Sequence, residues 1–203
     1  MKYLKALGLA AIAAMALTAF LGASSASATV LCTTTSNPCG TGWHIDHIHA
    51  TLVSGSTVSI NATGGALEAT CTESTVTVEK KQTGSATTTP SVTAAASNVT
   101  WGKCSSTTDT LEGGGLEIHQ IAGTHNGTIT ASRFHFTFVI GGISCGFSFG
   151  STDAGTLTGG SPAILDITAT LFKEGGSFLC PADSVMKASY QITNHTSAYA
   201  VAG

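Results

Sequence analysis

Beyond residue 28 the chain repeatedly alternates apolar and polar side chains with a period of two. Thr57 to Ala62, Ser74 to Lys80, Gly115 to Ile121, Gly127 to Ala131, Arg133 to Ile140 and Ile164 to Phe172 all carry the pattern, which is that of a strand with one face buried and one in water. In the run from Arg133 to Ile140, Phe134, Phe136 and Phe138 share a face with Ile140, and that face is expected to be core. Gly-rich breaks at Gly64-Gly65, Gly113 to Gly115, Gly141-Gly142, Gly159-Gly160 and Gly175-Gly176 separate the runs at intervals suited to hairpins. The segment Gln82 to Ala96, rich in Thr, Ser and Ala, reads as a loop leading into a strand that ends near Trp101. Short strands punctuated in this way predict an all-β fold, a single antiparallel β-sandwich of Greek-key or jelly-roll-like connection spanning residues 29–203.

The first 28 residues break the pattern. Lys2 and Lys5 precede an apolar stretch from Ala6 to about Leu21, and Ala26-Ser27-Ala28 closes it, the basic, apolar, small-x-small order of a helical secretory signal peptide cut between Ala28 and Thr29. The apolar stretch is short and Ala-rich and is followed by Ser and Thr, whereas a stop-transfer anchor carries a basic cluster. No later segment approaches the ~20 apolar residues of a membrane span. The expected mature protein is therefore secreted or held at the cell surface, with no membrane span after cleavage. Loss of Lys2 and Lys5 leaves six basic against eleven acidic residues, a net charge of −5. So few and scattered cations cannot neutralise a row of phosphates, which excludes nucleic acid and anionic membrane surfaces as partners.

Composition supports the strand reading. Ser and Thr make up nearly 30% of residues 29–203 and charged residues only 9% of the chain, which suits strands and turns and leaves little of the Glu, Lys and Arg that helices use. All six cysteines fall after the leader, and in an exported chain an even number points to disulfides. Cys32 and Cys39 bracket a short Thr-rich loop. Cys71 with Cys104, and Cys145 with Cys180, would each close a loop of roughly 35 residues, worth about 3 to 4 kcal/mol. Six cysteines permit 15 pairings, so the nearest-neighbour scheme is a preference. The absence of any Cys-x2-Cys pair argues against a zinc ribbon.

Candidate chemistry is sparse. His44-Ile45-Asp46-His47-Ile48-His49 holds the densest set of metal-ligand types. On a strand, His47 and His49 project from one face about 7 Å apart, with His44 and Asp46 on the other, so a third ligand must come from His119, His125, His135 or His195. The competing reading is a row of surface histidines on an edge strand. Gly146-Phe147-Ser148-Phe149-Gly150 has the spacing of a nucleophile elbow, but Phe147 and Phe149 alternate as in a strand and no helix start follows. Glu112 and Glu117 flank a glycine bend and read as solvated turn residues. Trp43, Trp101, Tyr190 and Tyr199 would make a sugar-stacking platform if all were exposed. Trp101, three residues before Cys104, fits the core better, and Trp43 is the better candidate for ligand contact. Sequons at Asn61, Asn98, Asn126 and Asn194 arise readily in a Thr-rich chain.

Several short stretches resemble a group of small exported proteins of Gram-positive actinobacteria. They are Ala69-Thr70-Cys71-Thr72-Glu73-Ser74, Val99-Thr100-Trp101-Gly102-Lys103-Cys104, Gly115-Leu116-Glu117-Ile118, Asn126-Gly127-Thr128-Ile129-Thr130, Gly155-Thr156-Leu157-Thr158-Gly159-Gly160 and Leu179-Cys180-Pro181. The resemblance implies an extracellular β-fold bridged through Cys71, Cys104, Cys145 and Cys180, and it brings no activity with it. The expectation is a non-enzymatic surface or extracellular structural or interaction protein without a cofactor. The first alternative is a module that binds a carbohydrate or another cell-envelope component, and the second is a metal-binding protein using His44 to His49.

Overall fold

The computed structural model describes residues 29–37, 39–63, 68–80, 91–105, 107–112, 114–132, 134–140, 142–149 and 153–202; the leader expected over 1–28 lies outside them. The chain forms β1 (Thr29–Cys32), a 3-10 turn (Thr41–Trp43), β2 (His47–Leu52), β3 (Val58–Ala62), β4 (Glu68–Lys80), β5 (Ser91–Cys104), β6 (Thr107–Glu112) and β7 (Gly115–Gln120). It continues through β8 (Gly127–Ser132), β9 (His135–Ile140), β10 (Ile143–Phe149), β11 (Asp153–Thr158), β12 (Ile164–Gly176), β13 (Asp183–Ile192) and β14 (Tyr199–Ala202).

Several of these strands are halves of longer ones. β2 and β3 both run antiparallel to β13 on one side and β4 on the other. In the same way β6 and β7 face β9 and β8, and β10 and β11 face β9 and β8 on one side and β12 on the other. Counting each such pair as one, eight strands of the described residues follow one another in chain order, and β13 returns to pair with β2, β3 and β12. The all-β antiparallel sandwich expected from the alternation is thus present, with ladders joining its two layers into a barrel, but the connection is up-and-down and not the Greek-key or jelly-roll-like one expected, because each strand pairs with its neighbour in sequence. Of the glycine run expected at a hairpin, Gly115 instead begins β7, which pairs with β8 while β6 before it pairs with β9; Gly113 lies outside the described residues. The segment read as a loop from Gln82 is already strand from Ser91, because β4 and β7 supply ladders on both sides; residues 81–90 lie outside the described ones.

The three bridges join neighbours in sequence: Cys32 to Cys39, Cys71 to Cys104, and Cys145 to Cys180. Cys71 and Cys104 sit opposite each other in the β4–β5 ladder, and Cys145 ties β10 to the β12–β13 loop, so these two brace one end of the barrel. Close approach fixes two glycines there and nearby. A Cβ on Gly176, at φ +101°, would lie 2.3 Å from the Ser144 carbonyl oxygen, and one on Gly155 would lie 2.0 Å from that of Asp166, so neither position admits a side chain without backbone movement.

The opposite end is covered by the β1–β14 ribbon. Ala200 N–H donates to the His125 carbonyl and Gln120 N–H donates to Thr29 Oγ1, while Leu31, Ile45, Ala198 and Ala200 are buried beneath. Along the strands the inward positions are apolar, as at Ile48, Val78, Ile118, Ile129 and Leu165. The outward positions carry Thr75, Glu79, Thr130, Thr168 and Lys187, all half-buried or exposed. That polarity is the reverse of a barrel whose outer wall faces lipid. Among the described residues no helix is long and apolar enough to cross a membrane.

Candidate ligand-binding interior

The barrel interior is filled unevenly. At the bridged end Phe136, Phe138 and Trp101 pack ring on ring: Trp101 lies stacked on Phe138 at 5.1 Å between centroids, and Phe136 meets both edge-on at 5.1 and 5.8 Å. Phe134, Phe136 and Phe138 are buried on one face of the strand, as the alternation predicts. Nearer the ribbon the walls are aliphatic, and the small side chains Ala131 and Ala154 stand where larger ones would meet. A cavity of about 80 Å³ remains there, its walls formed by Ile118, Ile129, Leu165, Met186 and their neighbours. No charged side chain is among the described residues lining it.

Two residues of this wall, Trp101 and Tyr190, carry polar atoms, but the surface facing the space is almost wholly apolar. The Tyr190 hydroxyl lies 2.9 Å from Ser74 Oγ, which donates to the Thr100 carbonyl at 2.9 Å. Burial pushes the Tyr190 phenol above its ordinary pKa, and its side-chain contacts with Ser74 and with the Trp101 indole act in the opposite direction. The Trp101 Nε1–H is itself buried and meets no strict hydrogen-bond geometry among the described residues; its polar contact is the Tyr190 hydroxyl.

The wall also has a seam. β5 pairs with β7 only through Ser91 to Ala95, and no ladder joins β5 to β6 among the described residues. Val99 and Trp101, beside this stretch of unpaired edge, line the cavity and are half-buried.

The residues singled out in the sequence lie mostly outside the barrel. His47 and His49 project outward from β2, but separate contacts occupy them: the His47 ring faces His195 at 5.8 Å, and His49 Nδ1 lies 3.1 Å from Thr193 Oγ1. His195 Nε2–H donates to the His47 carbonyl at 3.0 Å. Asp46 is exposed and apart from them. His44 bridges to Cys32 instead. Cys32, Cys39 and His44 are the ligand-type groups gathered most closely among the described residues, and two of the three are joined as a disulfide. Asn126 and Asn194, read as sequons, use their side chains internally: Asn126 Oδ1 accepts from Gly159 N–H, and Asn194 spans the His47 carbonyl and the His49 amide.

Trp43 is 57% exposed at the ribbon end, whereas Trp101 and Tyr190 belong to the interior, so the aromatic residues do not form one platform. Ser148 lies on β10 between buried Phe147 and half-buried Phe149, directly opposite His135 on β9. Its hydroxyl and the His135 imidazole both bond the Glu174 carboxylate, and the Ser148 bond is the main cause holding Glu174 below its ordinary pKa. The side chain of Glu112 is outside those described. Sequence reasoning passed over the cavity because its wall comes from eight strands; the available signal was the cluster of small inward residues, Ala131 and Ala154, among bulky ones.

No family model, curated protein or solved structure matches the chain.

Proposed function

We propose that the chain is an exported, non-enzymatic binding protein that takes an apolar group of a cell-envelope component into its barrel. The observation that carries this reading is the cavity of about 80 Å³ lined by apolar side chains. Eight-stranded barrels have interiors that side chains just fill or that hold one small ligand, and ligand pockets are mostly apolar with a few placed polar groups. A leader pattern and three bridges support work outside the cytoplasm. The polar outer wall of Thr and Ser supports a carrier or surface role in water. The flank position of Ser148 speaks against acyl transfer: its hydroxyl bonds the Glu174 carboxylate, while a nucleophile needs an imidazole base and oxyanion donors about 3 Å from the reacting atom. Trp43, exposed at the ribbon end, favours a second reading in which a glycan stacks on its indole.

Xenon tests the first reading, because it enters dry apolar cavities without needing a polar contact. In secreted protein, xenon pressure is expected to shift the methyl resonances of Ile118 and Met186, and Ala131→Leu, which fills the space, is expected to abolish the shifts. Native mass spectrometry after exposure to an envelope lipid extract should then show an adduct on the wild type and not on Ala131→Leu. Equal behaviour of the two proteins in both measurements would end this reading.

A further inference from the structure

The ribbon end holds a second set of groups, apart from the cavity: none of Cys32, Cys39 and His44 lines that space. Their ligand atoms, two Sγ and one imidazole nitrogen, all lie within 4.8 Å of one another. The backbone puts them there. Ile45 N–H donates to the Leu31 carbonyl and Thr33 N–H to the Trp43 carbonyl, both at 2.9 Å, so His44 is held opposite Cys32. Trp43 N–H donates to the Gly40 carbonyl at 2.9 Å, which turns the chain back after Cys39. The two cysteines are buried with Val201 in a small apolar cluster, and His44 beside them is half-buried. Their Cα atoms are 6.5 Å apart, near the wide end of the range for disulfides, so two sulfurs released from each other can part without backbone movement.

We propose that Cys32, Cys39 and His44 form a redox-gated site for a borderline-soft divalent cation such as Zn²⁺, closed while the bridge stands and open once a dithiol reduces it. The dithiol gives two electrons and two protons to the Cys32–Cys39 bond and becomes a cyclic disulfide. The cation then displaces the two thiol protons to solvent and is held by two thiolates and the neutral imidazole, with a fourth position left to water. Tetrahedral zinc, with bonds of about 2.3 Å to sulfur and 2.0–2.1 Å to nitrogen, sets its ligand atoms roughly 3.5 to 3.8 Å apart, a little closer than the 4.8 Å within which these three already stand. Two thiolates cancel the charge of the cation, so the group suits apolar surroundings where a lone charge would not. The fold survives the opening. This bridge spans 7 residues against 33 and 35 for the other two, so by loop entropy its loss lowers the folded-to-unfolded ratio about tenfold less than loss of either of those, and the ladder to β14 still holds β1.

Co²⁺, a coloured stand-in for zinc, tests the proposal. Secreted protein is reduced with dithiothreitol, freed of it under argon and given Co²⁺ alone. The reduced protein is expected to show thiolate-to-Co²⁺ charge-transfer bands and the d–d bands of a tetrahedral site, which Zn²⁺ bleaches, and the metal is expected to protect Cys32 and Cys39 from iodoacetamide in peptide mapping. The oxidised protein is expected to show neither. His44→Ala is expected to weaken Co²⁺ binding more than about 100-fold, since even an outer-shell partner of a metal ligand is worth 10- to 100-fold, and His47→Ala to leave it unchanged. Cys32→Ser with Cys39→Ser, which lacks the bridge without offering thiolates, is expected to keep the Ile118 and Met186 methyl signals of the folded barrel and to bind no Co²⁺. Loss of those signals or Co²⁺ binding in the double variant, unchanged binding in His44→Ala, or absence of the bands from reduced wild type would each overturn the site. The interior reading stands or falls separately, on xenon.

Discussion

The two halves of the barrel interior solve the same packing problem with different side chains. Towards the Cys71–Cys104 and Cys145–Cys180 bridges, flat rings tile against one another at 5.1 to 5.8 Å and leave little room. Towards the β1–β14 ribbon, aliphatic side chains and two alanines surround open space that Trp101, Phe134, Phe149 and Tyr190 also border. Aromatic pairs add directional contacts of about 0.5–1.5 kcal/mol each beyond the area they bury, and the two bridges remove chain entropy at the same end. The bridged half is therefore the more firmly packed part of the barrel, and the open space lies in the other half.

The largest test of that contrast removes one large side chain from each half. Phe138→Ala, at a fully buried ring that touches both Trp101 and Phe136, is expected to cost about 3–5 kcal/mol. Leu165→Ala, on a wall that already lacks neighbours on its cavity side, is expected to cost nearer 2 kcal/mol. Urea unfolding of the two variants measures the difference. Equal losses would mean that the cavity half is as tightly packed as the ring half.

A smaller and sharper test adds volume. Ala131 and Ala69 are both buried on strand interiors, but only Ala131 borders the cavity. Ala131→Val is expected to stabilise by about 0.5–1 kcal/mol by filling space, and Ala69→Val to destabilise by about 1–3 kcal/mol through overpacking. Opposite signs from one chemical change, read as shifts in the urea midpoint, would locate the space by energetics alone. Loss of stability in both would place it elsewhere.

These contrasts also mark what could be read from the chain before folding. Strands with bulky inward residues announced themselves, as in the run of Phe134, Phe136 and Phe138, and so did the bridges, whose partners are neighbours in sequence. β13 carries the same signal, with Met186, Ala188, Tyr190 and Ile192 inward and Lys187, Ser189 and Gln191 outward, and only Ser184 inward and Val185 outward blur the period at its start. β5 was cut short because three consecutive alanines carry no period, and pairing with β4 and β7 decides their conformation. The histidine run was conspicuous by local density, yet the strand sends its members to separate contacts with His195, Thr193 and Cys32. The cavity depends on which small residues meet across strands distant in sequence, and that is information the order of residues carries only through the whole fold.

The smallest expected effect concerns the one titratable group on the aliphatic wall. Tyr190 is buried and bonded to Ser74, and desolvation raises its pKa above the ordinary value of 10.0. Because the phenol is neutral when protonated, the folded state favours the proton more than the unfolded chain does. The resulting contribution to stability is complete below pH 10 and is lost as pH rises from the unfolded pKa through the raised folded one. Unfolding free energy measured across that interval is expected to fall with pH in the wild type, and Tyr190→Phe is expected to flatten this limb while costing about 1 kcal/mol at neutral pH through the lost bond to Ser74. Xenon occupancy should survive in the same variant, since an apolar guest needs only the space. Were the alkaline limb unchanged in Tyr190→Phe, the hydroxyl would be open to water, and the aliphatic half would be a wet cleft instead of an enclosed cavity.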